Sequence, residues 1–73
     1  MENSWFLFPS ATYAGKAKSL FEQAGIRTKM ERIPESVLGR TCGYRLLVTG
    51  EQVRRAVEIC QNNRIRLIRI MPA

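Results

Sequence analysis

The residue best placed for chemistry is Cys42. It stands between Thr41 and Gly43 in the stretch PESVLGRTCG (34–43), which has two glycines and no apolar period. Gly43 removes side-chain bulk beside the thiol and so eases the approach of a second molecule. Arg40 and Arg45 lie two and three residues away. Positive charge stabilises the thiolate, and the thiolate is the nucleophile. Such a thiolate can take up sulfur as a persulfide and hand the outer sulfur on. The plainer alternative is a loop cysteine packed beside the strand that follows, because cysteine is among the most buried residue types.

Cys60 reads differently. It continues the stripe Val53, Ala56, Val57 at helical spacing, where a free cysteine acts as a small hydrophobe. Its sharper alternative is a resolving thiol for Cys42, although the separation forms no C-x-x-C motif.

Other chemistry is limited by composition. The 73 residues include six acids, all Glu, with no Asp and no His. A Ser-His-Asp triad, a Cys-His pair and a histidine metal site are excluded, and two cysteines cannot form a four-cysteine zinc site. We therefore expect no catalytic residues, no metal, no cofactor and no enzyme activity. Pro9-Ser10, ahead of a helix, suits an ordinary N-cap better than an anion site, since it lacks a glycine-rich phosphate fingerprint. Trp5, Phe6, Phe8 and Tyr44 raise base stacking on RNA. The relevant strand reads GYRLLVT, a weak match to the alternating glycine-aromatic signature, and aromatics in a small domain more often form its core.

The formal charge is +6 and it is uneven. Residues 1–36 hold five basic and four acidic side chains, whereas residues 37–73 hold seven Arg and two Glu. The basic half suits RNA, an acidic protein or an anionic small molecule, and equally an arginine-rich solvated surface. No apolar run approaches the ~18 residues of a membrane span. The start MENSWFLFPSA lacks the basic and long apolar segments of a signal peptide. The expectation is a cytoplasmic protein with no membrane association and with reduced thiols.

The elements that must position these residues follow from periodicity. Trp5–Phe8, closed by Pro9, reads as a buried strand. Ser10 or Thr12 caps a helix whose apolar face is Tyr13, Ala14, Ala17, Leu20, Phe21 and Ala24, and Gly25 supplies its left-handed exit. Residues 26–31 alternate as a strand ended by Pro34. Residues 34–43 read as a loop, and Tyr44–Thr49 as a third strand. Thr49 and Gln52 have capping-box spacing for a second helix, and Asn62 or Asn63 suits its left-handed end. Residues 65–70 read as the last strand.

Strand, helix, strand, strand, helix, strand is the α+β, ferredoxin-like βαββαβ order. It implies one domain over residues 1–73, with an antiparallel four-stranded sheet and both helices on one face. Chains this short bury only about 60% of their unfolded surface, so the core is thin. Alternation in the first strand puts two large apolar side chains on each face. A partly apolar open face is commonly an interface, here with a homodimer as the expectation.

Taken together, the chain resembles a small bacterial family of selenium/sulfur carrier protein-like domains. The resemblance runs from about Phe6 to Ile70. It rests on Phe8-Pro9-Ser10, on the Ala/Leu helix reaching Ala24-Gly25-Ile26, on Pro34, and on Cys42-Gly43. It implies that Cys42 holds sulfur or selenium, with Gly43 and Thr41 in the supporting loop. Arg40 departs from the small hydroxylated residues usual there, and Cys60 matches no family motif. The leading expectation is a non-catalytic carrier that receives sulfur or selenium from a donor protein and passes it to an acceptor, with Arg40 and Arg45 lowering the thiol pKa. The alternative is a regulatory or RNA-binding module using the basic half or the open sheet.

Overall fold

The computed structural model describes residues 2–38 and 43–73. Strand β1 (Ser4–Phe8) leads into helix α1 (Ala11–Gln23), then strand β2 (Thr28–Arg32) and a single helical turn, α2 (Glu35–Leu38). Strand β3 (Tyr44–Val48), a 3-10 turn (Gly50–Gln52), helix α3 (Val53–Asn62) and strand β4 (Arg69–Pro72) follow. The strands are ordered β2-β3-β1-β4, and every neighbouring pair is antiparallel. This is the expected α+β ferredoxin-like arrangement.

One face of the sheet carries the core. Phe6, Phe8, Leu46 and Val48 meet Ala14, Ala17 and Phe21 of α1, and Ala56 and Cys60 of α3. Phe6 and Phe21 pack edge to face, with ring centres 6.0 Å apart and planes at 86°. That geometry sets a ring's positive edge against the other ring's negative face. Alanines on both buried helix stripes leave room for the phenylalanine rings between helix and sheet.

The helix ends explain much of the path. Ser10 is the cap of α1: the Tyr13 N–H donates to Ser10 Oγ at 3.3 Å, while Thr12 lies inside the helix. At the exit, the Gly25 N–H donates to the Glu22 carbonyl and the Ile26 N–H to the Phe21 carbonyl. This is a Schellman motif, with Gly25 in the left-handed position at φ 80°. Ile26 is buried by this turn, so β2 begins at Thr28 rather than at residue 26.

The end of α3 repeats the motif with a different residue. The Arg64 N–H donates to the Gln61 carbonyl and the Ile65 N–H to the Cys60 carbonyl. Arg64 therefore takes the left-handed position, at φ 53°, in place of Asn62 or Asn63. Asn63 is engaged otherwise, its Nδ2 donating to the Ile59 carbonyl at 2.8 Å. Ile65 is drawn into the core, and β4 starts only at Arg69. The expected capping box also fails. Thr49 makes no side-chain cap, and the Gly50 N–H donates to Asn3 Oδ1 at 3.3 Å across the sheet end. A 3-10 turn then occupies the place of the first helical residues. Part of the expected 34–43 loop is the turn α2, opened by Pro34 and by Glu35 at its N-terminal end.

Helices α1 and α3 both pack on the core face of the sheet, and the alternate strand positions form the opposite one. Register and alternation place Trp5 and Leu7 of β1 there, with Lys29 and Glu31 of β2, Arg45 and Leu47 of β3, and Arg69 and Met71 of β4. Leu7 and Ile33 are nonetheless buried, and Trp5, Leu47 and Met71 are half-buried. Among the described residues, no helix is long and apolar enough to cross a membrane.

Candidate functional site

Cys42, Thr41 and Arg40 lie outside the described residues. What frames them is described. Gly43 follows Cys42 directly, and it is buried with φ 147°, a backbone conformation that side chains other than glycine rarely adopt. The Ile33 N–H donates to the Gly43 carbonyl at 3.0 Å, which extends the β2–β3 ladder by one pair. Gly43 thus has a conformational role beyond the removal of bulk that the sequence suggested.

The same end of the sheet carries the start of α1. Phe8 pairs with Tyr44, so Pro9 and the cap Ser10 leave β1 beside the point where Gly43 enters β3. A helix N-terminus presents unpaired N–H groups and a positive potential. A hollow of about 360 Å³ also opens at this end, with Arg32, Ile33, Pro34 and Glu35 in its lining.

Arg45 has partners of its own. Its Nη2 donates to Glu31 Oε1 at 2.9 Å, and its guanidinium sits 3.9 Å above the Trp5 ring. The side chain is 19% exposed, and Nε is buried without a partner. Lys29 approaches the other Glu31 oxygen at 3.8 Å. The charge of Arg45 is therefore compensated by a carboxylate, which weakens it as a source of thiolate stabilisation. Glu31 was not singled out in the sequence. Odd-numbered positions of β2 and β3 share a face, but the register that sets 31 opposite 45 is a tertiary fact.

Cys60 is buried in the core, 1% exposed, and burial pushes its thiol up from 9.0 to about 11. The cause is desolvation, which disfavours the charged thiolate. The expected core role is what the structure has, and a thiol so enclosed is poorly suited to resolving a disulfide.

Compared with family models, curated proteins and solved structures, the chain matches none.

Proposed function

We propose that this protein is a cytoplasmic carrier that holds sulfur or selenium on Cys42 and delivers it to an acceptor protein. The observation that carries this reading is the contrast between the two thiols of the sequence. Cys60 is enclosed and held protonated, which leaves Cys42 as the thiol for chemistry. Gly43, the residue that follows Cys42 in the chain, is held in a conformation that suits glycine at the sheet end where α1 begins. Positive potential at a helix N-terminus favours a thiolate.

The transfer balances without an outside oxidant or reductant. The Cys42 thiolate attacks the terminal sulfur of a donor persulfide. The donor S–S bond breaks, a new S–S bond forms on Cys42, and the donor leaves as a thiolate that takes up the remaining proton. An acceptor nucleophile reverses the sequence. Thr41 and Gly43 flank Cys42 in the sequence, and Arg40 is the cation two residues before it.

The test is to incubate the folded protein with a small-molecule persulfide donor and read the intact mass. One added sulfur on the wild type, absent in Cys42→Ser and retained in Cys60→Ala, is the expected pattern. No adduct on folded wild type, or an adduct mapping to Cys60, would overturn the carrier reading.

A further inference from the structure

We propose that the outer edge of β2 is a docking surface for a second copy of this chain, which pairs with it antiparallel about Met30 and joins the two sheets into one. Strand β2 ends the strand order, so β3 lies on one side of it and no strand of the described residues on the other. The Ile33 N–H donates to the Gly43 carbonyl, and this pair extends the register that sets Glu31 opposite Arg45 and Lys29 opposite Leu47. Main-chain bonds alternate along an antiparallel pair. Lys29 and Glu31 therefore spend their N–H and C=O groups on β3, while those of Thr28 and Met30 point outward. The Met30 side chain is 39% exposed, unusual for a large apolar residue in this fold. Proline and bulges are devices that close a sheet edge, and the continuous register of β2 has neither. The opposite edge, β4, carries Pro72, which has no N–H to offer.

Backbone geometry and charge select one register. The outward groups belong to even-numbered positions, so even positions must face even positions across a two-fold axis. Registers centred on Lys29, Met30 and Glu31 meet this condition. The first sets Lys29 against its own copy and the last sets two Glu31 carboxylates together, and like charges directly opposite are destabilising. Centring on Met30 does neither. The two Met30 residues then exchange their N–H···O bonds, and Lys29 of each chain stands opposite Glu31 of the other in a non-hydrogen-bonded pair, where side chains come closest. Glu31 already accepts from Arg45 through Oε1, but Lys29 of its own chain lies 3.8 Å away, too far for a hydrogen bond. The cross-strand contact therefore adds to the pair within each chain. Access is open on the helix side as well. Lys18 Nζ reaches the Thr28 carbonyl at 3.5 Å, which marks the flank of α1 that overlooks β2, and the carbonyl keeps a second lone pair. Gly15, about one turn earlier on that flank, has nothing within 4 Å of the place a Cβ would take, so the helix leaves room beside Met30. Any extended peptide could satisfy the Met30 main chain. The self-complementary Lys-Met-Glu order and the exposed Met30 single out a second copy. The net charge of +6 on each chain opposes this contact only within a Debye length, about 8 Å at physiological salt. Pairing through one short strand belongs to the weak, transient class of interface.

The wild-type protein is followed by sedimentation velocity and backbone amide NMR from micromolar to millimolar concentration. A monomer–dimer equilibrium is expected, with shifts centred on Met30 and its neighbours in β2. In a mixture of isotope-labelled and unlabelled chains, a cross-peak between the Hα atoms of Lys29 and Glu31 identifies the Met30-centred register, since these atoms are too far apart within one strand. Met30→Pro removes the outward N–H and should abolish the dimer; proline is tolerated on an edge strand where the N–H faces solvent. Lys29→Glu turns both symmetry-related contacts repulsive and should weaken the dimer about tenfold at low salt. That loss should shrink at high salt, where the charges are screened. The Lys29 side chain is 73% exposed, so its variant reports on pairing even where Met30→Pro lowers the stability of the fold.

A monomer at every concentration would overturn the proposal. So would a dimer left intact by a folded Met30→Pro variant, or one indifferent to Lys29→Glu at low salt. Shifts centred on Trp5, Leu47 and Met71 would assign self-association to the sheet face instead, and shifts centred on Ile70 would assign it to the β4 edge; either rejects pairing through β2. None of these measurements reads the Cys42 thiol, so the carrier reading stands or falls separately.

Discussion

The contrast between the two thiols can be measured without knowing any partner. Consider Cys42→Ser, which leaves Cys60 as the single thiol. At pH 8 a thiol with the ordinary value of 9.0 is about one-tenth ionised, whereas one at about 11 is about one-thousandth ionised. Cys60 should therefore react with a disulfide reagent at least about a hundredfold more slowly than an ordinary thiol, and burial slows it further. In Cys60→Ala the remaining Cys42 should react at the ordinary rate or faster. The same shift has a consequence for stability. Above pH 9 the unfolded chain loses the Cys60 proton while the folded chain keeps it. The folded state then binds more protons, and stability falls as pH rises. The contribution is full below pH 9 and is lost between pH 9 and about 11. Two units at about 1.36 kcal/mol each come to about 3 kcal/mol. The measurement is a difference: urea unfolding of Cys42→Ser against Cys42→Ser/Cys60→Ala from pH 8 to 11. Equal slopes in the two proteins, or similar labelling rates for Cys42 and Cys60, would refute the assignment of Cys60 to a dry core.

Other consequences concern the backbone and the sheet face. Gly25→Ala should cost about 1 kcal/mol in chemical denaturation, because the position needs φ 80° although nothing crowds an added methyl. Arg64→Gly should act in the opposite sense and raise stability by about 0.5–1 kcal/mol, since it relieves a left-handed arginine. Gly43→Ala should cost more than Gly25→Ala, about 1–3 kcal/mol, and slow any reaction of Cys42. Glu31→Gln should cost about 1 kcal/mol, or roughly 4–8 °C in Tm, by leaving Arg45 with a neutral partner beside an already unpaired Nε. An unchanged melting curve would remove that ion pair from the account of the sheet.

Local signals in the sequence were read correctly where one residue decides the geometry. The Ser10 cap, the Gly25 exit, the stripe that buries Cys60 and the order of the elements all fall in this class. Tertiary competition hid the rest. Ile26 and Ile65 alternate with polar neighbours as a strand would, yet each is the buried residue that closes a Schellman motif, so the following strand starts later. Thr49 and Gln52 have the right spacing for a capping box, but the 3-10 turn commits the Gln52 N–H to the Thr49 carbonyl at 2.9 Å, and the Thr49 hydroxyl makes no cap. Arg45 looked like a cation available to Cys42 because the two are close in sequence. Its partners, Glu31 and Trp5, are distant along the chain and meet it only through strand register.

The central position of β1 bears on how the chain is made. Ser4–Phe8 leaves the ribosome before the other strands, yet it pairs with β4, whose residues emerge more than 60 positions later. The Ala73 N–H reaches back to the Asn3 carbonyl at 2.9 Å. A nascent chain with β4 still in the exit tunnel can hold β1 on its β3 side only, leaving Leu7 and Phe6 beside an open edge. Such non-local closure is slow to form. The native sheet is therefore completed after β4 has emerged, and a translational pause upstream of residue 69 would prolong exposure of Trp5–Phe8, the longest unbroken apolar run in the sequence.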